Sequence, residues 1–332
     1  MEVRDHQLII VGAGPAGLCA ALYAARSEID AVLIDPGPAG GQLLLTDRVD
    51  DYPGIKTIGG MELADAMAEH AESFGMKLTR GTVKSIERDS EGRFLAETAE
   101  GDTYRAPAVI MTAGGTHKLL NAPGEAEYAG RGVSYCAICD GAFFKGERIA
   151  VIGGGDAAVE EGEFLTRYAE KLYVIHRRDE FRAQKMLQDH LLGNPKVEVI
   201  WDTVVDEIVG QPTGVSGLKL RNVKTGHESE LDVSGVFIFI GFTPNTGSLK
   251  EHVDHDESGY IVTDGDMRTS IPGLFAAGDL RSQLVRQITT AVGDATTAVF
   301  AAERYLKERS AARDTSENGS EGQTETMMES NA

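Results

Sequence analysis

Apolar residues in this chain fall into short continuous runs separated by glycine-rich turns and by stretches with helical spacing. Leu8–Val11 is such a run. It is followed by GAGPAG, an Ala/Leu-rich stretch to Arg26, and a second run, Ala31–Ile34, that ends at Asp35. The pattern predicts strand, turn, helix and strand, the opening of a βαβ unit. The same order returns in mid-chain. Arg148–Ile152 reads as a strand, GGGDAA as a turn, Val159–Tyr168 as a helix and Lys171–Ile175 as a strand. The chain therefore carries a divergent internal duplication rather than a short-period solenoid. Between the copies lie a helical stretch (Gly60–Phe74), alternating segments (Lys84–Glu87, Arg93–Thr98) and a buried strand (Ala108–Thr112). After the second copy come a strand at Ser234–Ile240, another at Gly273–Asp279 ending in a Gly-Asp turn, and a helix from about Thr289 to Glu308. From Asp314 to Ala332 the residues are mainly Ser, Thr, Glu, Gln, Asn and Gly, which predicts a disordered tail.

Composition sharpens this picture. The 332 residues suffice for about two domains, and 42% apolar with 25% charged residues excludes wholesale disorder, collagen and coiled coil. Acidic residues outnumber basic ones 52 to 32, a net charge of −20. Such a surface repels phosphate backbones and anionic lipids, which argues against nucleic acid and against a membrane surface as partners. Three cysteines are too few for a secreted disulfide scaffold. The apolar run near the N-terminus is too short for a signal peptide, and no run of 18 apolar residues occurs. A soluble, cytoplasmic protein is expected.

The two glycine loops carry the first candidate chemistry. In Gly12-Ala13-Gly14-Pro15-Ala16-Gly17, the first glycine permits the tight turn, the second lets a pyrophosphate approach the backbone, and the third lets helix and strand pack closely. The helix N-terminus offers free N–H groups to phosphate. Asp35, 23 residues after Gly12, stands where a carboxylate accepts hydrogen bonds from ribose hydroxyls. The second loop is Gly153-Gly154-Gly155-Asp156-Ala157-Ala158, and counting 23 residues on reaches His176, followed by Arg177, Arg178 and Arg182. Arginines in that slot suit the 2′-phosphate of NADP, where an acid would repel it. Copy two is thus expected to bind NADPH and copy one a different dinucleotide.

The third feature is Cys136-Ala137-Ile138-Cys139-Asp140, about a dozen residues before the second loop. A C-x-x-C beside βαβ units suggests a reversible dithiol. Zinc is the competing reading, but it needs about four ligands, and no second C-x-x-C or close H-x-x-x-H is present. No metal site is expected. Asp140 is placed to shuttle a proton to a leaving thiolate, although an ordinary turn carboxylate would look the same. Cys19, inside the first Rossmann helix, reads as a small core residue. Nicotinamide does not readily attack a disulfide, so a flavin is the natural intermediate, and copy one is expected to hold FAD.

At this point the chain resembles the low-molecular-weight thioredoxin reductase family over about residues 6–309. The resemblance rests on GAGPAG, Gly40-Gly41-Gln42, Tyr52-Pro53-Gly54, CAICDG, GGGDAA with Val159-Glu160-Glu161, HRRDEFRA, and IPGLFAAGD followed by Arg286 to Asp294. It implies an α/β fold with two Rossmann-like domains of three-layer ββα type. An NADPH domain (118–246) carrying the dithiol would be inserted into a discontinuous FAD domain (1–117 and 247–310), with a disordered acidic tail at 311–332. It implies that Gly41, Gln42, Gly278, Asp279, Arg286, Gln287 and Ile288 contact the flavin. Cys139 would face the flavin, Cys136 would exchange with the disulfide of thioredoxin, and Asp140 would be their acid–base partner. The protein would work as a homodimer. Three departures stand out: Thr112-Ala113-Gly114-Gly115, Ala157 in place of a hydroxyl residue, and Gly293-Asp294-Ala295. Alternatives are a reductase of another small dithiol protein such as a glutaredoxin-like or peroxide-reducing partner, a cysteine-independent ferredoxin or diaphorase-type flavoenzyme, and a flavin-bound redox sensor.

Overall fold

The structure, a computed structural model, describes residues 3–329 except 47, 250 and 251, with side chains described through residue 312. Its α-helices are α1 (Pro15–Arg26), α2 (Gly60–Ser73), α3 (Ala137–Asp140), α4 (Asp156–Leu165), α5 (Lys185–Leu192) and α6 (Ile288–Glu329). The chain divides into two compact units. One comprises Met1–Leu44, Met61–Gly115 and Pro244–Ala332, the other Leu45–Gly60 and Thr116–Thr243.

In the first unit, a parallel five-stranded sheet runs Leu274–Ala276, Ala108–Met111, Leu8–Val11, Ala31–Asp35, Leu78–Arg80. The period of two along Leu8–Val11 explains why the run is apolar throughout. Leu8 and Ile10 pack with α1 and α6 on one face, while Ile9 and Val11 pack on the other face against Phe94, Ala96 and Tyr104. Those last three belong to a second, four-stranded sheet ordered Val3–Asp5, Thr103–Ala106, Phe94–Thr98, Val83–Arg88. The unit is therefore helix, parallel sheet and second sheet in three layers.

The second unit repeats this plan. Its parallel sheet runs Val133–Ser134, Gly235–Phe239, Arg148–Gly153, Lys171–Ile175, Val197–Ile200. Ile149 and Val151 face α4 and α5. Ala150 and Ile152 face an antiparallel sheet of Thr203–Gln211, Gly214–Asn222 and Glu228–Leu231. In both units the strand preceding the glycine loop is central.

Three expectations need correction. Residues 45–60 group with the second unit, where the Arg48 guanidinium lies 3.8 Å above the Phe143 ring. The strand expected at Gly273–Asp279 is confined to Leu274–Ala276, and the rest forms the turn. The final helix does not stop near Glu308: α6 continues to Glu329, so the backbone expected to be disordered from residue 311 is helical through 329. Extending a formed helix costs little per residue, and no proline follows Pro272 to stop it. The last part of that tail, 330–332, lies outside the described residues.

Candidate functional site

The first unit gathers its predicted residues around the N-terminus of α1. Gly12 has φ +107°, and a Cβ on Gly17 would come to 1.7 Å from the Gly12 carbonyl oxygen, so strand and helix touch backbone to backbone there. Thr112 locks the turn: its hydroxyl, 4% exposed, donates to the carbonyls of Val11 (2.9 Å) and Gly12 (2.8 Å). That residue belongs to a departure from the family pattern, and sequence reading gave it no role. Gly14 caps α1 with no side-chain hydrogen bond, and a Cβ added to it would meet only the Gly41 Cα, at 3.9 Å. The leading N–H groups of the helix are thus approachable, as a dinucleotide pyrophosphate requires.

Around that end stand the other predicted residues. Gly40 N–H donates to Ala13 O at 2.7 Å, bringing Gly41 beside Gly14, and Gln42 Nε2 donates to Gly115 O at 3.0 Å. The Asp35 carboxylate accepts from the N–H groups of Ala13 (2.8 Å) and Gly37 (2.7 Å), which fixes it at the end of its strand with lone pairs left for ribose hydroxyls. A Cβ on Gly278 would lie 3.0 Å from the Ala16 methyl, so the Gly278-Asp279 turn also borders α1. Burial pushes the Asp279 carboxyl up to about 6, with the Asp294 carboxylate adding to the rise and Arg286 opposing it. Asp294 holds the turn by accepting from Gly278 N–H (3.1 Å) and from Arg281 Nη1 (3.0 Å). Arg286 donates to Asp279 O at 3.4 Å and stacks 3.9 Å above the Tyr260 ring. Gln287 and Ile288 form the entry to α6. An open helix end, a placed ribose acceptor and a desolvated carboxyl at the neighbouring turn fit FAD. Cys19 is buried and unpaired, as expected of a core residue.

In the second unit, Gly155 caps α4, again with no side-chain hydrogen bond, and a Cβ there would find nothing within 4 Å. Asp156, the first residue of α4, accepts from Gln184 N–H at 2.7 Å. Ala157 is exposed and Ala158 is buried against the sheet. The structure separates His176 from the arginines that follow it. Its ring is 6% exposed, packed under Gly154 and against Phe181 and Trp201. A Cβ on Gly154 would lie 2.3 Å from that ring, so only glycine fits there. Burial lowers the His176 pKa. Arg177, Arg178 and Arg182 are exposed, and none makes a salt bridge among the described residues, whereas nearby Lys224 pairs with Asp179 and Asp202. The Arg182 N–H donates to Gly154 O at 2.8 Å, which ties the cluster to the loop. Uncompensated guanidinium groups beside an open helix end fit the phosphates of NADPH.

Cys136 and Cys139 are joined as a disulfide across α3, with Cα atoms 5.4 Å apart. Cys136 caps this short helix, its Sγ accepting from the Cys139 N–H at 3.1 Å. Asp140 ends the helix and is held by Ser134, whose hydroxyl donates to Oδ2 at 2.5 Å. Ser134 is 5% exposed. Tyr135 is anchored beside the pair: its hydroxyl donates to Glu125 Oε1 at 2.9 Å, and its ring stacks on His117 at 5.0 Å. Glu125, 4% exposed, also accepts from the N–H groups of Leu120 and Asn121. Burial drives the His117 pKa down to about 4. Sequence reading missed Ser134, Glu125 and His117, since none belongs to a motif with fixed spacing.

Residues 6–295 match the family described as pyridine nucleotide-disulphide oxidoreductase. The chain is 47% identical over 307 residues to the thioredoxin reductase of Listeria monocytogenes, covering 92% of this chain and 96% of that protein. It is 44% identical over 307 residues to that of Bacillus subtilis, with the same two coverages. The crystal structure of thioredoxin reductase from Streptococcus pyogenes superposes with a TM-score of 0.88 at 46% identity, covering 92% of this chain and 99% of that one.

Proposed function

The chain belongs to the pyridine nucleotide-disulphide oxidoreductases and, among them, to the thioredoxin reductases; on that premise we propose that its Cys136–Cys139 pair is the site at which electrons leave for oxidised thioredoxin. The protein is an NADPH-dependent flavoprotein disulfide oxidoreductase. Its cofactors, FAD and NADPH, supply two-electron transfer from nicotinamide to the disulfide.

The observation that carries the reading is the formed disulfide of α3 with the Asp140 carboxylate fixed at the end of the same helix. Opening the disulfide yields one thiol and one thiolate. Cys136, at the N-terminus of α3, is the residue assigned to attack the thioredoxin disulfide, and Cys139 is assigned to resolve the mixed disulfide. Asp140 moves the proton that the leaving thiolate needs, and Ser134 keeps its Oδ2 in place. Arg177, Arg178 and Arg182 hold the NADPH 2′-phosphate, and the open end of α4 takes its pyrophosphate. Gly12, Gly14, Gly17 and Asp35 seat the adenosine half of FAD, with Asp279 accepting from hydroxyls of its ribityl chain. We assign the protein to the cytoplasm and to a homodimeric state. No helix among the described residues is long and apolar enough to cross a membrane.

The test is NADPH-driven turnover against a panel of thioredoxins and glutaredoxins. Wild type bleaches with NADPH and reduces thioredoxin. Cys136→Ser bleaches yet fails to reduce it. Turnover confined to glutaredoxin-like or peroxide-reducing partners would move the substrate assignment. Thioredoxin reduction by Cys136→Ser at the wild-type rate would overturn the dithiol route.

A further inference from the structure

The Gly278-Asp279 turn follows the strand Leu274–Ala276, and both backbone polar groups of Gly278 are held by side chains. The Gly278 N–H donates to Asp294 Oδ2 at 3.1 Å, and its carbonyl accepts from Gln283 Nε2 at 3.1 Å. Arg281 joins these two side chains: its Nη1 donates to Asp294 Oδ1 at 3.0 Å and to Gln283 Oε1 at 3.1 Å. Four hydrogen bonds thus close a ring from Gly278 through Asp294, Arg281 and Gln283 back to Gly278. The Arg281 side chain is also tied outside the ring, where its Nε donates to Thr263 Oγ1 at 3.0 Å.

The ring is more than the turn itself needs. The backbone N–H of Arg281 donates to the Gly278 carbonyl at 3.1 Å, which closes the turn without any side chain. Arg281 and Asp294 keep only 15% and 11% of their side-chain surface exposed. A buried ion pair is often no more stabilising than apolar residues of similar volume, because both charges give up their water. What it adds is direction. The guanidinium is a rigid planar fork, so Asp294, Gln283 and Thr263 are set at fixed angles around it. The peptide planes on either side of Gly278 are then fixed, and with them the bond from which the Asp279 side chain leaves the backbone. The ring also reaches α6, which carries Asp294 and begins beside Gln287 and Ile288.

On the reading of Asp279 as an acceptor for the ribityl hydroxyls of FAD, we propose that Arg281 is a positioning residue for the flavin. It holds Asp294 and Gln283 against the two sides of Gly278, so the Asp279 carboxyl is already aimed when the ribityl chain arrives. Flavin binding then does not have to order the turn, and the affinity that ordering would cost is kept.

The experiment is a double-mutant cycle on the dissociation constant of FAD. FAD-loaded protein is diluted and the released flavin is followed by its fluorescence, with neither NADPH nor thioredoxin present. Arg281→Met is expected to weaken FAD binding by about tenfold or more, the loss that goes with one hydrogen bond to a charged group. In the Asp279→Ala background the same substitution is expected to change it by less than about twofold, since residues that act through one contact are not additive. ADP, which carries the adenosine half alone, competes equally well against wild type and Arg281→Met. An unchanged FAD constant in Arg281→Met overturns the proposal and leaves Asp279 its assignment. Equal losses in the two backgrounds, or a matching loss for ADP, also overturn it, because Arg281 then acts on the fold of the unit. Wild-type affinity in Asp279→Ala overturns the ribityl reading and the proposal together. Should Arg281→Met fail to fold, Arg281→Met/Asp294→Asn takes its place in the cycle, since no charge is then left buried alone, and the same outcomes decide.

Discussion

Ser134 Oγ donates a 2.5 Å hydrogen bond to Asp140 Oδ2 and accepts one of 3.1 Å from the Cys136 N–H, so a single hydroxyl ties the Asp140 carboxylate to the backbone of the first cysteine. A hydrogen bond to a carboxylate is worth about 1.5–3 kcal/mol. Ser134→Ala is therefore expected to slow thioredoxin reduction by about 10-fold or more while leaving flavin bleaching by NADPH unchanged. Single-turnover absorbance for the first step and steady-state NADPH oxidation for the second separate the two. Equal slowing of both steps would assign Ser134 to folding rather than to proton transfer.

The arginine cluster makes the cofactor preference testable residue by residue. Arg178→Gln or Arg182→Gln removes one charge-assisted contact to a 2′-phosphate and is expected to raise the KM for NADPH by about 10- to 100-fold. The KM for NADH, which lacks that phosphate, stays where it was. Comparing kcat/KM for the two nucleotides in each variant checks this, and a parallel loss with NADH would count against phosphate recognition.

Asp279 predicts an acid-side gain in the stability of its unit. Burial holds its pKa at about 6, above the 3.8 of an exposed Asp. The folded state then binds the extra proton between those values, so this stability is fully present below pH 3.8 and is lost as pH rises through 6. The amount is about 3 kcal/mol. In cofactor-free protein, Asp279→Asn flattens this part of the profile, readable as the difference in thermal midpoint between variant and wild type from pH 4.5 to 7.

His117 works in the opposite direction. Its pKa falls from 6.5 to about 4 because burial disfavours the charged ring. Its contribution is present above pH 6.5 and is lost as pH falls toward 4, since the unfolded state gains the proton first. His117→Phe keeps a ring between Tyr135 and Phe242 and is expected to remove that acid-side loss. Acid unfolding of the variant followed by tryptophan fluorescence tests it, since the single Trp201 lies in the same unit as His117.

Much of the site was legible in sequence because its chemistry is local. A glycine turn, the helix it opens and the acid or arginines 23 residues on occupy one βαβ unit, so their spacing is fixed by strand and helix length. The two cysteines are three residues apart, within one turn of helix. What sequence did not disclose are the groups that act across the fold. Thr112 reaches Val11 and Gly12 a hundred residues away because their strands are adjacent. Glu125 collects three hydrogen bonds that no spacing announces.

Sequence alone thus determined the architecture and singled out the Cys136–Cys139 pair, since apolar period, turn chemistry and short-range spacing are properties of neighbouring residues. Tertiary structure decided the rest. It turned His176 inward beneath Gly154 while leaving the arginines exposed, carried α6 past its expected end, and placed Asp279 where burial raises its proton affinity. Burial and unpaired polar atoms arise from packing between distant segments, and the free energy of a charge depends on what that packing puts around it.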